Sequence, residues 1–166
     1  MNILVLGIGN LLLSDEAVGV RIIEALEQRY RFSPQIDIVD GGTSGMELME
    51  AMASRDHLIV ADAVLTGQAP GTVAVLRDNE VPALFTRKIS PHQLGLSDVL
   101  MALQLTDEFP RRLTLVGVVP ESLEVRIGLT ETVRQAIAPA LRQIVAALRQ
   151  SGIAVSEREQ CEAASE

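Results

Sequence analysis

Short apolar runs alternate with amphipathic stretches through the first third of the chain. Residues 2–6, 36–39 and 57–61 are mostly apolar, and each run ends at a turn or an acidic residue, which predicts three buried strands. The stretches between them carry apolar residues at helical spacing. They predict one helix capped by Ser14 and a second that opens with a capping box at residues 44–47. This βαβα order is typical of a doubly wound α/β fold.

The most apolar of these runs, residues 57–61, should lie at the centre of the sheet. After it, residues 64–71 are too few for a helical crossover, which takes a dozen or more residues. The next strand, predicted over residues 72–76, should therefore run antiparallel to the others at an edge. The sequence thus predicts a mixed, mostly parallel sheet.

Two further helices and one strand are predicted in the second half of the chain. Pro91 suits the start of a helix, where its missing N–H does no harm, and we predict a helix over residues 92–104. Residues 113–119 predict the last strand. Thr130 is expected to cap a terminal helix that ends near residue 149.

Composition limits the number of domains. A chain of 166 residues suits one domain, which we assign to residues 1–150, followed by a flexible acidic tail over residues 151–166. Apolar residues make up 48% of the chain and aromatic residues only 2%, so the core must be aliphatic, as in buried parallel sheets. The single cysteine, Cys161, lies in the tail and cannot form an internal disulfide, which favours a cytoplasmic protein.

Charge and hydropathy exclude two classes of partner. A net charge of −8 without a basic patch argues against nucleic acid. No apolar stretch approaches the roughly 20 residues of a bilayer-spanning helix, so we expect no membrane insertion. Residues 1–13 lack the basic start and the cleavage site of a signal peptide. Nothing in the sequence requires an assembly larger than a monomer.

Three scattered side chains form a candidate metal site. Asp62 ends the predicted central strand, Glu16 opens the helix after the first strand, and His92 lies in the first turn of a later helix. Ligands of doubly wound sheets bind at the carboxyl ends of the strands, where these three groups are expected to meet. Two carboxylates and an imidazole suit a divalent transition metal.

Each of the three residues also has an ordinary structural explanation. Glu16 could simply favour a helix dipole, Asp62 could serve a turn or a helix cap, and His92 could be an unremarkable residue of a first helical turn. It is their expected meeting at one rim that favours metal binding. His57 is excluded, because it lies at the other end of the central strand, about 16 Å from Asp62.

Two further features bear on function. Asp40, Gly41, Gly42 and Thr43 follow the second strand, and the glycines would let a substrate approach the backbone closely, although a simple turn explains them equally well. The turn at residues 7–12 has a leucine where the dinucleotide fingerprint needs its third glycine. A nucleotide-binding α/β module nevertheless stays an alternative, based on the fold and the glycine turn alone.

Several stretches together resemble the hydrogenase maturation endopeptidases. They are MNILVLGIGNLLLSDEAVGVRIIEALEQRY, DGGTSGMEL, RDHLIVADAV, ISPHQLGLSDVL and LTLVGVVPESLE, and the resemblance extends over residues 1 to about 150. It implies a three-layer α/β/α sandwich with a five-stranded mixed sheet. It also implies an endopeptidase that removes a C-terminal extension from the large-subunit precursor of a nickel–iron hydrogenase after nickel has been inserted.

The resemblance assigns roles to the candidate residues. Glu16, Asp62 and His92 would contact nickel carried by the precursor, and the segment of Asp40 and Thr43 would discriminate between substrates. Since the metal arrives with the substrate, no tightly bound intrinsic cofactor is expected. Whether nickel polarises the scissile carbonyl or activates a water is left open. A non-catalytic chaperone that recognises a metal with the same ligands is the other alternative.

Overall fold

The computed structural model describes residues 2–78, 80–81 and 91–158, and for residues 91–95 it describes the backbone alone. The strands are β1 (Ile3–Ile8), β2 (Tyr30–Ser33), β3 (Asp37–Gly42), β4 (His57–Ala63), β5 (Val73–Arg77), β6 (Arg112–Val118) and β7 (Ala154–Glu157). The α-helices are α1 (Val18–Arg29), α2 (Met49–Met52), α3 (Pro91–Leu105), α4 (Glu131–Arg134) and α5 (Ile137–Gln150). Two 3₁₀ helices, Ser14–Ala17 and Met46–Leu48, precede α1 and α2.

The main sheet has five strands in the order β3-β1-β4-β6-β5. Strands β1, β3, β4 and β6 are parallel, and β5 is antiparallel to β6 at one edge. The central position of β4 and the reversed edge strand β5 are both confirmed. The short link before β5 explains the reversal, because it leaves no room for a helical crossover.

Two aliphatic clusters cover the two faces of the sheet. Side chains alternate along a strand, so Ile3 and Val5 of β1 pack with α1 and α5, while Leu4 and Leu6 pack with α2 and α3. A run that is apolar at every position is therefore buried on both faces. The three-layer α/β/α sandwich with a mixed five-stranded sheet is confirmed.

The start of α1 differs from the prediction. Ser14 does not cap an α-helix, because it has a φ of 52° and is the first residue of a 3₁₀ helix, whereas an N-cap residue is extended. Its hydroxyl donates instead to the carbonyl of Gly128, 3.1 Å away. The α-helix begins four residues later, at Val18.

The predicted tail also differs from the structure. Strand β7 (Ala154–Glu157) pairs antiparallel with β2, so residues up to Arg158 are part of the folded unit and the expected boundary at residue 150 is wrong. Residues 159–166, with Cys161, lie outside the described residues. Within the part of the chain that the structure describes, no helix has both the length and the apolarity that crossing a bilayer demands.

Candidate functional site

Helix α1 packs with its backbone directly on the carboxyl ends of two central strands. A Cβ atom at Gly19 would overlap the carbonyl oxygens of Ala61 and Ile8. Only glycine permits this approach of a helix to a sheet. As a result, the 3₁₀ helix that precedes α1 contacts β4 at the rim where ligands of such sheets bind.

Glu16 lies at this rim in the 3₁₀ helix, just before α1 rather than inside it as predicted. Its side chain is buried, with 7% of the residue exposed. The turn after β1 is packed against it, because a Cβ atom at Gly9 would overlap the Glu16 carbonyl oxygen. The glycine turn that made a nucleotide site conceivable is therefore filled by the chain itself.

Asp62 is the penultimate residue of β4 and is fully buried. It pairs in register with Gly117 of β6, at the carboxyl end of the strand as the sequence predicted. Its Oδ1 accepts a hydrogen bond of 2.8 Å from the N–H of Ala63. Glu16 and Asp62 thus lie on two elements that touch, as two buried carboxyl groups at one end of the sheet.

His92 is the second residue of α3, so the predicted helix start is confirmed. Its side chain lies outside the described residues, and its approach to Glu16 and Asp62 stays a prediction. The side chains that the structure does describe contain no group of three histidine, cysteine or acidic residues able to hold a metal ion. The side chain of His92 is not among them.

Asp15 is a structural anchor that the sequence analysis missed. It is fully buried, and its Oδ2 accepts hydrogen bonds from the N–H groups of Glu121 and Ser122 at 2.9 and 3.0 Å. Thr130 donates twice, from its N–H to Oδ1 at 2.7 Å and from its hydroxyl to Oδ2 at 2.8 Å. This carboxylate therefore holds both ends of the loop after β6 against the 3₁₀ helix that contains Glu16. Nothing in the sequence distinguishes the anchor from its acidic neighbour.

The segment of Asp40, Gly41, Gly42 and Thr43 is only partly a loop. Its first three residues end strand β3, and Thr43 alone lies beyond it, exposed. Asp40 Oδ1 accepts from the N–H of Gly42 at 2.8 Å, and the Gly42 carbonyl accepts from Gly9 at 2.8 Å. The segment therefore borders the turn that packs on Glu16, and the exposed Asp40 side chain is available to a partner.

His57 lies at the amino end of β4, away from Asp62, as the sequence analysis expected. It is 3% exposed, and its ring nitrogens lie 2.6 Å from Ser151 Oγ and 2.8 Å from Thr114 Oγ1. Burial lowers the pKa of this imidazole below 6.5, and the nearby Arg112 guanidinium lowers it further, against a smaller opposing effect of Asp78. A cavity of about 590 Å³ opens at this end of the sheet.

The lowered pKa of His57 predicts a pH-dependent stability. Above the unfolded pKa of 6.5 the ring is neutral in both states, and its contribution to folding is fully present. As the pH falls from 6.5 toward the folded pKa, the unfolded chain binds a proton that the folded protein excludes. The free energy of unfolding is then expected to fall by up to about 1.4 kcal/mol per pH unit.

Urea unfolding between about pH 5.5 and 7.5 measures this effect, a window in which ordinary carboxylates stay ionised. A His57→Gln variant should lose the dependence. His92→Gln, which removes the other histidine of the chain, should keep it. Equal slopes for the wild-type protein and His57→Gln would contradict the assignment.

Comparisons with known proteins agree with this architecture. A family model described as hydrogenase maturation protease matches residues 20–147. The hydrogenase 2 maturation protease of Escherichia coli (strain K12) is 66% identical over 160 residues, which are 96% of this chain and 98% of that protein. The hydrogenase expression/formation protein HoxM of Azotobacter vinelandii is 46% identical over 160 residues, covering 95% of this chain and 77% of HoxM.

Solved structures give the same result. The hydrogenase maturating endopeptidase HybD from E. coli superposes with a TM-score of 0.92 at 65% identity, covering 95% of this chain and 98% of HybD. A [NiFe] hydrogenase maturation protease from Thermococcus kodakarensis superposes with a TM-score of 0.71 at 21% identity, covering 87% of this chain and 97% of the other. This second likeness concerns the fold alone.

Proposed function

Since the chain belongs to the hydrogenase maturation protease family, we propose that it removes a C-terminal extension from the large-subunit precursor of a nickel–iron hydrogenase. Cleavage follows nickel insertion, and the enzyme recognises its substrate through the nickel that the precursor carries. The observation that carries this proposal is the position of Glu16 and Asp62, two buried carboxyl groups on touching elements at the ligand-binding end of the sheet.

The donor set fits a substrate-borne divalent nickel ion. Glu16 and Asp62 would supply carboxylate oxygens, and His92, at the start of α3, would supply an imidazole nitrogen to complete a site for a borderline metal. Three protein ligands leave coordination positions for groups of the precursor. A precursor without nickel would lack the strongest link between the two proteins, which explains why cleavage waits for the metal.

The chain's own residues divide the remaining work. Bound nickel would supply Lewis-acid chemistry, either at the scissile carbonyl or at an attacking water. Asp15 holds the loop after β6 and the 3₁₀ helix together, which fixes the position of Glu16. The segment of Asp40, Gly41, Gly42 and Thr43 lies at the same end of the sheet. There it would discriminate between precursors through exposed side chains such as Asp40.

Intact-mass measurement of the precursor tests this function. The nickel-loaded precursor incubated with the enzyme is expected to lose the mass of a C-terminal peptide, whereas the nickel-free precursor should keep its full mass. Elemental analysis of the purified enzyme should find far less than one metal ion per chain, because the ion arrives with the substrate.

Two other outcomes would contradict the proposal. Stable binding of the nickel-loaded precursor without mass loss would favour a metal-recognising chaperone. A stoichiometric intrinsic zinc, with cleavage independent of nickel, would favour an ordinary metallopeptidase.

A further inference from the structure

An apolar strip crosses the rim beside the candidate site. It consists of Leu123, Val125 and Ile127 in the loop after β6, which are 41%, 86% and 73% exposed. Leu12, at 58% exposed, lies next to them in the turn after β1. Exposed apolar side chains that lie together mark interaction surfaces, whereas single scattered ones need no explanation.

The strip is held in place by its backbone. Leu13 and Arg126 form a parallel β-bridge, in which the Arg126 N–H donates to the Leu12 carbonyl at 2.9 Å and the Ser14 N–H donates to the Arg126 carbonyl at 2.8 Å. The carboxylate of Asp15 binds the loop on both sides of the bridge, at Ser122 and Thr130. The exposed side chains therefore have a defined position relative to Glu16.

The outer edge of the strip is open. Both backbone groups of Arg126 point toward residues 12–14, so those of its neighbours point away from this turn. Among the described residues, no hydrogen bond uses the N–H or carbonyl groups of Val125 or Ile127. Apolar side chains at alternate positions beside unused backbone groups are the features by which a protein edge takes up an extended peptide.

We propose that this strip binds an extended, aliphatic segment of the precursor that adjoins the scissile bond. The inference rests on the proposed function and adds where the peptide lies. The occupant is the precursor rather than a second copy of this chain, because the strip and Glu16 share one anchor, Asp15, and form one continuous rim. A peptide that follows the strip would run along the segment of residues 12–15, which leads into Glu16.

The test compares cleavage kinetics of a Val125→Ser/Ile127→Ser double variant with those of wild-type enzyme on nickel-loaded precursor. We expect KM to rise about tenfold or more with kcat nearly unchanged, because the lost contacts bind substrate without touching the reacting atoms. The matched control is Leu105→Ser, which also replaces an exposed aliphatic side chain by serine, at a position that is 83% exposed at the far end of α3. Its KM should stay at the wild-type value.

The outcomes separate the two proposals. If the wild-type enzyme cleaves but the double variant has an unchanged KM, the strip is not a docking site and the proposed function stands. If the wild-type enzyme does not cleave, the proposed function fails. Sedimentation that shows a wild-type dimer, dissociated in the double variant, would assign the strip to self-association and overturn the docking proposal. When the enzyme binds the nickel-loaded precursor, hydrogen exchange of the Val125 and Ile127 amides should become slower than in the free enzyme.

Discussion

Replacing Asp62 by asparagine is expected to leave the fold intact and to reduce cleavage of a nickel-loaded precursor on the order of a hundredfold or more. Asparagine has the shape of aspartate, and its carbonyl oxygen can still accept the hydrogen bond from the Ala63 N–H. What it lacks is the negative charge and the second carboxylate oxygen that a nickel ion would use. Burial of a neutral amide also costs less than burial of a charge, so stability should not fall.

Intact-mass kinetics measure the effect, with thermal unfolding to verify folding. Asp98→Asn, the same change at an exposed residue of α3, is the control and should cleave at the wild-type rate. A companion variant, His92→Ala, should be as inactive as Asp62→Asn if the imidazole is a ligand. Full cleavage by both variants would refute the metal site.

Replacing Asp15 by asparagine is expected to lower the free energy of unfolding by about 3 kcal/mol. The carboxylate accepts four hydrogen bonds, from Glu121, Ser122 and twice from Thr130. An amide has only one oxygen, and its NH₂ group would face N–H donors, so buried groups would lose their partners. Activity should also fall, because the same hydrogen bonds fix the position of the 3₁₀ helix that contains Glu16.

Denaturant unfolding measures the loss. Asp37→Asn provides the matched control, because this carboxylate forms an ion pair with Arg55 at 2.6 Å but its side chain is 64% exposed. Exposed pairs contribute about 1 kcal/mol or less, so the control should change stability little. Similar losses for the two variants would show that the buried hydrogen bonds of Asp15 contribute no more to the free energy of unfolding than an exposed ion pair does.

The five-stranded sheet could be predicted because its signals are local. Strands β1 and β4 are apolar at nearly every position, which only burial on two faces accommodates. The reversal of β5 followed from the length of a single link. Such features are set by neighbouring residues and do not depend on what the rest of the chain does.

The pairing of β2 with β7 could not be predicted in the same way. Both are short strands with largely exposed patterns, and they meet although Tyr30 and Glu157 are 127 residues apart in the chain. Neither has an apolar face strong enough to identify it alone. Their pairing depends on where α1 and α5 end, which only the folded core determines.

The candidate site shows the same division. Asp62 was identified from its position at the end of an apolar strand. The different roles of Asp15 and Glu16, adjacent and chemically alike, depend on a loop more than 100 residues further along the chain. The meeting of Glu16 and Asp62 at one rim agrees with the hypothesis, and the participation of His92 stays a prediction.

The contact of Gly19 with the carbonyl groups of Ile8 and Ala61 has a consequence for metal selectivity. With no side chain between helix and sheet, the separation of the main chains that carry Glu16 and Asp62 is limited by backbone contact, which hardly compresses. For the proposed nickel site, a main-chain separation fixed in this way would favour ions of one radius and coordination geometry over larger ones. Discrimination among cations would then depend on main-chain packing at Gly19 as well as on the ligands themselves.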